Sequence, residues 1–207
     1  MKILCIGKNY AEHIKEMNKM GVGSGVPTEP VYFMKPDTAL LKDGYPFYIP
    51  DFSNDLHHEV EIVVKINKNG KNIEEKFAHK YFDEITIGID FTARDIQAKC
   101  KEKGLPWEKA KAFDNSAPIG RFVAKTKFNL DNLNFHLDIN GKQVQIGNTK
   151  DMIFSFAKCI SYVSKFHTLK TGDLIYTGTP EGVGPVKPGD KLEAYIENEK
   201  LLEFEVK

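Results

Sequence analysis

The alternation of apolar and polar positions is clearest at residues 58–66, where His58, Val60, Ile62, Val64 and Ile66 interleave with Glu59, Glu61, Val63 and Lys65. A period of two is the signature of a β-strand, because successive side chains leave opposite faces. Short apolar runs at 3–6, 86–90 and 173–177 predict three further strands. Residues 135–139 and 143–146 flank Asn140-Gly141, a dipeptide that accepts positive φ at both positions, and predict a hairpin. Two more strands, near 191–197 and 201–207, close the chain. Helical periodicity appears at 9–20, 93–103 and 152–166, with Gly21 as a stop for the first helix. Residues 21–27 are too glycine-rich for regular structure and read as a mobile loop, and 31–50 as short extended pieces punctuated by proline. Strands outnumber helices and do not alternate with them as a doubly wound sheet requires, so the fold class is α+β, predominantly β.

A chain of 207 residues suits one domain with a substantial core. Lysine plus arginine and aspartate plus glutamate each number 29, and this zero net charge argues against a general nucleic-acid binder. Cys5, Cys100 and Cys159 are odd in number and form no CxxC pair, which predicts reduced thiols in a cytoplasmic protein. The apolar start is too short for a signal peptide or a membrane span. There is no nucleophile elbow, dinucleotide fingerprint or phosphate loop.

The candidate chemistry lies in carboxylates. Glu59 and Glu61 share one face of their strand, although a solvated face would account for the pair as well. Asp90 follows the apolar run 85–89, and an acid enclosed at a strand end needs a cation or several hydrogen bonds. Were the three to converge, an all-oxygen set would select Mg²⁺, Mn²⁺ or Ca²⁺ over zinc. Spacing alone does not bring Asp90 to the pair. His13 and Glu16, three apart on the first helix, share a face and could hydrogen-bond, as could any exposed polar pair. His57 and His58 point to opposite faces and cannot both join the glutamates.

Four motifs carry a resemblance that spans almost the whole chain. They are Gly7-Lys8-Asn9-Tyr10-Ala11-Glu12-His13, then His57-His58-Glu59-Val60-Glu61, then Gly88-Ile89-Asp90-Phe91-Thr92-Ala93-Arg94-Asp95, and finally Thr177-Gly178-Thr179-Pro180-Glu181-Gly182-Val183-Gly184. In this order they resemble the fumarylacetoacetate hydrolase family. Arg94-Asp95-Ile96-Gln97, Lys103-Gly104-Leu105-Pro106-Trp107 and Ala110-Lys111-Ala112-Phe113 are similar to its short branch of acylpyruvate hydrolases and oxaloacetate decarboxylases.

The resemblance implies a mixed β-roll, one catalytic domain over 1–207, and assembly as a homodimer. Residues 1–30 would include a lid formed by the first helix and the glycine-rich loop. It implies Mg²⁺ or Mn²⁺ on Glu59, Glu61 and Asp90, and a water-activating dyad of His13 and Glu16. Lys111 would face a developing oxyanion, and Arg94, Gln97 and Thr179 would bind substrate. By residue type alone, Lys111, Arg94, Gln97 and Thr179 would be surface or capping residues. The implied activity is hydrolysis of a carbon–carbon bond in an acylpyruvate-type 2-oxo acid, giving pyruvate and a carboxylate. The alternative is decarboxylation or keto–enol tautomerisation of oxaloacetate or of a dienoate such as 2-hydroxyhepta-2,4-diene-1,7-dioate. Presence of both dyad residues puts hydrolysis first. A non-catalytic metal-binding protein is the remote third reading.

Overall fold

The computed structural model describes residues 1–19, 25–42 and 44–207. In chain order the first elements are β1 (Ile3–Gly7), α1 (Ala11–Lys19), β2 (Val31–Lys35), β3 (Leu40–Lys42), β4 (Leu56–His58) and β5 (Val60–Ile66). Then come β6 (Phe82–Ile89), β7 (Thr92–Ala93), α2 (Arg94–Glu102), α3 (Glu108–Lys111), β8 (Ala117–Ile119) and β9 (Val123–Ala124). The last are β10 (Asn134–Ile139), β11 (Lys142–Asn148), α4 (Phe156–Phe166), β12 (Leu174–Tyr176), β13 (Gly184–Pro185), β14 (Lys191–Ile196) and β15 (Glu199–Glu205).

These strands form a mixed sheet in the order β2-β1-β12-β5-β6-β8-β3, with β9 also on β6, an antiparallel sheet β11-β10-β14-β15, and a small sheet β13-β4-β7. Within the large sheet β1–β12 and β3–β8 are parallel. The main core lies between the large sheet and the four-stranded one. It joins Val60, Ile62, Val64, Ile85, Ile87 and Ile89 to Phe135, Leu137, Ala194, Ile196, Leu202 and Phe204. The opposite face of the large sheet has its own cluster around Ile3, Cys5, Val63, Leu174 and Tyr176. β5 is therefore buried on both faces, and the solvated face that the glutamate pair allowed is not what forms. The fold class is α+β and mostly strand, as the pattern predicts.

Several boundaries move. The strand expected over 58–66 is broken at Glu59 into β4 and β5, because His58 pairs in the small sheet with Gly184 while Val60 pairs in the large one with Ile89. The helix expected over 152–166 begins at Phe156, where Ser155 caps it by accepting the Lys158 amide. The hairpin forms at Asn140-Gly141, with φ of 53° and 74°. The first helix begins at Ala11, and its expected end at Met20, the Gly21 stop and the glycine-rich stretch to Ser24 lie outside the described residues. The three cysteines are buried and free. No described helix is long and apolar enough to cross a membrane.

Candidate active site and metal centre

Pairing of β5 with β6 builds the centre. Glu61 lies opposite Gly88, and one step beyond the ladder the Asp90 amide donates to the Glu59 carbonyl at 2.8 Å. Gly88 is required by close approach: a Cβ there would lie 2.7 Å from the Tyr176 ring and 2.9 Å from the Pro118 carbonyl oxygen. One carboxylate oxygen from each of Glu59, Glu61 and Asp90 then falls within 4.8 Å of the others. The exposures of the three residues are 5%, 2% and 1%.

Enclosing ionised carboxylates costs several kcal/mol each unless charge is returned, and three cations return it. Lys111 Nζ bridges Glu59 Oε2 at 2.8 Å and Asp90 Oδ2 at 2.7 Å. Arg94 donates to Glu59 Oε1 and, at 2.9 Å, to Gln97 Oε1. Lys35 Nζ comes within 2.7 Å of Asp90 Oδ1, while its hydrogen bonds go to the Ser116 carbonyl at 2.8 Å and Ser116 Oγ at 3.0 Å. No donor is aligned on Asp90 Oδ1.

The two glutamates are driven apart electrostatically. Against the upward push of burial, Lys111 and then Arg94 hold the Glu59 carboxyl well below the usual carboxylate range. Burial, then the charges of Asp90 and Glu59, push Glu61 well above it. Against burial, Asp90 and Glu59 raise the Lys111 ammonium and keep it charged.

A cleft of about 570 Å³, open solvent included, lies over this cluster, and eight of the nine expected site residues line it, all but Glu16. Glu16 is joined to the cleft through His13, whose Nδ1 lies 3.1 Å from Glu16 Oε2. Its other oxygen accepts the Gly182 amide at 2.9 Å, so the dyad is anchored to the loop that carries Thr179. Against burial, the His13 contact and this amide hold the Glu16 carboxyl below its ordinary value. The buried all-oxygen triad, with an Asp90 oxygen lacking an aligned donor, fits a hard divalent cation such as Mg²⁺ or Mn²⁺. His57 and His58 stand outside it, on Asp55 at 2.9 Å and on Gln145 at 2.8 Å.

Four contributors escaped the sequence reading. Lys35 lies in the stretch read as proline-punctuated pieces, and Gln145 in the hairpin, where local pattern marks neither. Lys8 and Lys101 line the cleft. Burial, then Arg94 and Lys8, lower the Lys101 ammonium to about 8. Among the described residues lining the cleft, Lys8 alone carries a side chain at positive φ, 59°, a feature that local sequence pattern does not mark.

The sequence model described as fumarylacetoacetate (FAA) hydrolase C-terminal matches residues 2–207. The mitochondrial oxaloacetate tautomerase FAHD1 of Mus musculus is 47% identical over 206 residues, 99% of this chain and 91% of that protein. The oxaloacetate tautomerase YcgM of Escherichia coli (strain K12) is 46% identical over 202 residues, 97% of this chain and 90% of that protein. A crystal structure of fumarylpyruvate hydrolase from Pseudomonas aeruginosa, in complex with Mn²⁺ and pyruvate, superposes with a TM-score of 0.91 at 33% identity. That comparison covers 100% of this chain and 89% of that one, so the expected β-roll is the fold observed. On profile, relatives and fold together, this chain belongs to the fumarylacetoacetate hydrolase family, in its short branch.

Proposed function

We propose that the chain is a divalent-metal-dependent tautomerase of oxaloacetate or a closely similar 2-oxo dicarboxylic acid. The observation that carries this reading is the enclosed triad of Glu59, Glu61 and Asp90 in a cleft that is also lined by His13 and by the cationic side chains of Lys8, Arg94, Lys101 and Lys111. Mg²⁺ or Mn²⁺ held by the triad supplies a Lewis acid against negative charge developing on the 2-oxo oxygen. Arg94, held by Glu59 and Gln97, presents its guanidinium to a substrate carboxylate, for which its planar fork is suited. Thr179 offers a hydroxyl in the same cleft, and Lys111, on Glu59 and Asp90, holds a fixed positive charge beside the triad. Lys8 and Lys101 add positive charge for a second carboxylate. Keto–enol exchange moves one proton between C3 and the 2-oxo oxygen and breaks no carbon–carbon bond. The oxaloacetate tautomerases among the relatives support this order of readings over the hydrolase that the dyad put first.

Hydrolysis of an acylpyruvate remains the second reading, favoured by one specific contact: His13 and Glu16 form a hydrogen-bonded pair pinned to Gly182. There His13 would take a proton from water, the water oxygen would attack the distal acyl carbon, and the breaking bond would leave its electron pair on pyruvate as the enolate. Purified protein assayed with oxaloacetate and with acetylpyruvate, with Mg²⁺, with Mn²⁺ and after chelation, separates the two. Metal-dependent exchange of oxaloacetate, abolished by Glu59→Ala and surviving His13→Ala, is the expected result. Cleavage of acetylpyruvate that needs both residues, without oxaloacetate exchange, would reverse the order. Turnover of neither, with metal bound, would leave a binding protein. The same family reading carries a homodimer, which sedimentation velocity tests.

A further inference from the structure

Gln145 sits on β11, in the four-stranded sheet, yet its carboxamide reaches into the seam between the triad and the substrate loop. It is 2% exposed and makes four contacts. Its Oε1 accepts the Val60 amide at 3.0 Å and faces His58 Nδ1 at 2.8 Å, and its Nε2 donates to the Pro180 carbonyl at 3.1 Å and to Thr179 Oγ at 2.9 Å. Two of these partners are backbone groups whose roles cannot change: the Val60 N–H only donates and the Pro180 C=O only accepts. A flipped carboxamide would set donor against donor and acceptor against acceptor in a buried seam, so one orientation is imposed. From it the other roles follow. His58 must donate from Nδ1, and Thr179 Oγ must accept. The hydroxyl proton of Thr179 is then turned away from Gln145, and among the described residues no protein acceptor takes it. Thr179 lines the cleft.

We propose that Gln145 is a positioning residue that commits the Thr179 hydroxyl to donate to a substrate oxygen, while tying the strand that begins beside Glu59 to the same loop. One amide thus sets the polarity of a binding group and the spacing of that group from the triad. This rests on the reading of Thr179 as a substrate contact.

The test uses the Mn²⁺-loaded protein with pyruvate as the binding probe by calorimetry, the KM and kcat for oxaloacetate, and thermal unfolding. Thr179→Val should weaken pyruvate about tenfold or more, the loss expected for one hydrogen bond to a charged group. Gln145→Glu is isosteric and, when ionised, accepts the Thr179 proton; it should weaken pyruvate by a similar factor and raise KM more than it lowers kcat. Adding Thr179→Val to Gln145→Glu should cost less than a further twofold. Gln145→Met, which keeps volume and frees the hydroxyl to rotate, should give a smaller loss than Gln145→Glu and serves as the readout if that variant does not fold. If Thr179→Val weakens pyruvate but Gln145→Glu and Gln145→Met lower only thermal stability, or if the losses multiply in the double variant, the positioning role is overturned. If Thr179→Val leaves pyruvate binding unchanged, the substrate contact fails and the inference fails with it.

Discussion

Asn9→Ala tests whether a single buried carboxamide locks the elements around the cleft together. Asn9 is fully buried. Its Nδ2 donates to the Phe154 carbonyl at 2.9 Å and the Thr177 carbonyl at 2.7 Å, and its Oδ1 accepts the Phe154 amide at 2.7 Å. The turn before α1, the segment before α4 and the loop that carries Gly178 and Thr179 are therefore joined at one side chain. Alanine orphans three buried backbone groups at about 1–3 kcal/mol each, and water admitted to the vacated polar space recovers part of that. A net loss of about 3–4 kcal/mol is expected, a large share of the roughly 5–15 kcal/mol that holds a domain folded. At about 2–4 °C per kcal/mol for a chain of this size, the melting temperature should fall by about 6–16 °C. Urea unfolding followed by circular dichroism gives the free energy, and calorimetry the temperature. Asn9→Asp sharpens the test, since it keeps the acceptor for Phe154 but turns a carboxylate oxygen toward two carbonyls; it should be at least as damaging as alanine. A loss below about 1 kcal/mol for Asn9→Ala, or a milder effect of Asn9→Asp, would refute the accounting.

Three other outcomes follow from the same geometry. Lys111→Met removes the ammonium bridging Glu59 and Asp90, so the metal-free protein should lose about 3–5 kcal/mol and regain more stability from Mn²⁺ than the parent does; equal melting temperatures without metal would contradict this. Gly178 holds φ at 101° and donates its amide to Glu61 Oε2 at 2.7 Å, and a Cβ there would lie 2.6 Å from that of Asn9, so Gly178→Ala should weaken Mn²⁺ binding about tenfold or more by calorimetry. Burial lowers His58 to about 4 from the ordinary 6.5, so the unfolded chain takes the proton first and stability is lost as pH falls through that window. The loss by pH 4 should be about 3 kcal/mol, and His58→Asn should flatten that part of the stability–pH curve.

The sequence by itself determined the strand-rich class, the hairpin at Asn140-Gly141, the short helix that carries His13 and Glu16, and the family. These are legible because they depend on local period, on turn residues that tolerate positive φ, and on motifs contiguous in the chain. Period two also placed Glu59 and Glu61 together, but it left open whether they faced water. Only the tertiary structure decided that they face Asp90 instead, since the pairing of β5 with β6 and the covering of both faces of β5 are long-range events. The same holds for Lys35 and Gln145. A lysine amid prolines and a glutamine in a hairpin look like solvated residues, and each acquires its role from partners far along the chain: Asp90 and Ser116 for Lys35, His58, Val60, Thr179 and Pro180 for Gln145. Charge balance inside a closed site is a property of the assembled fold, because desolvation acts only once the chain has folded around the carboxylates and their cations.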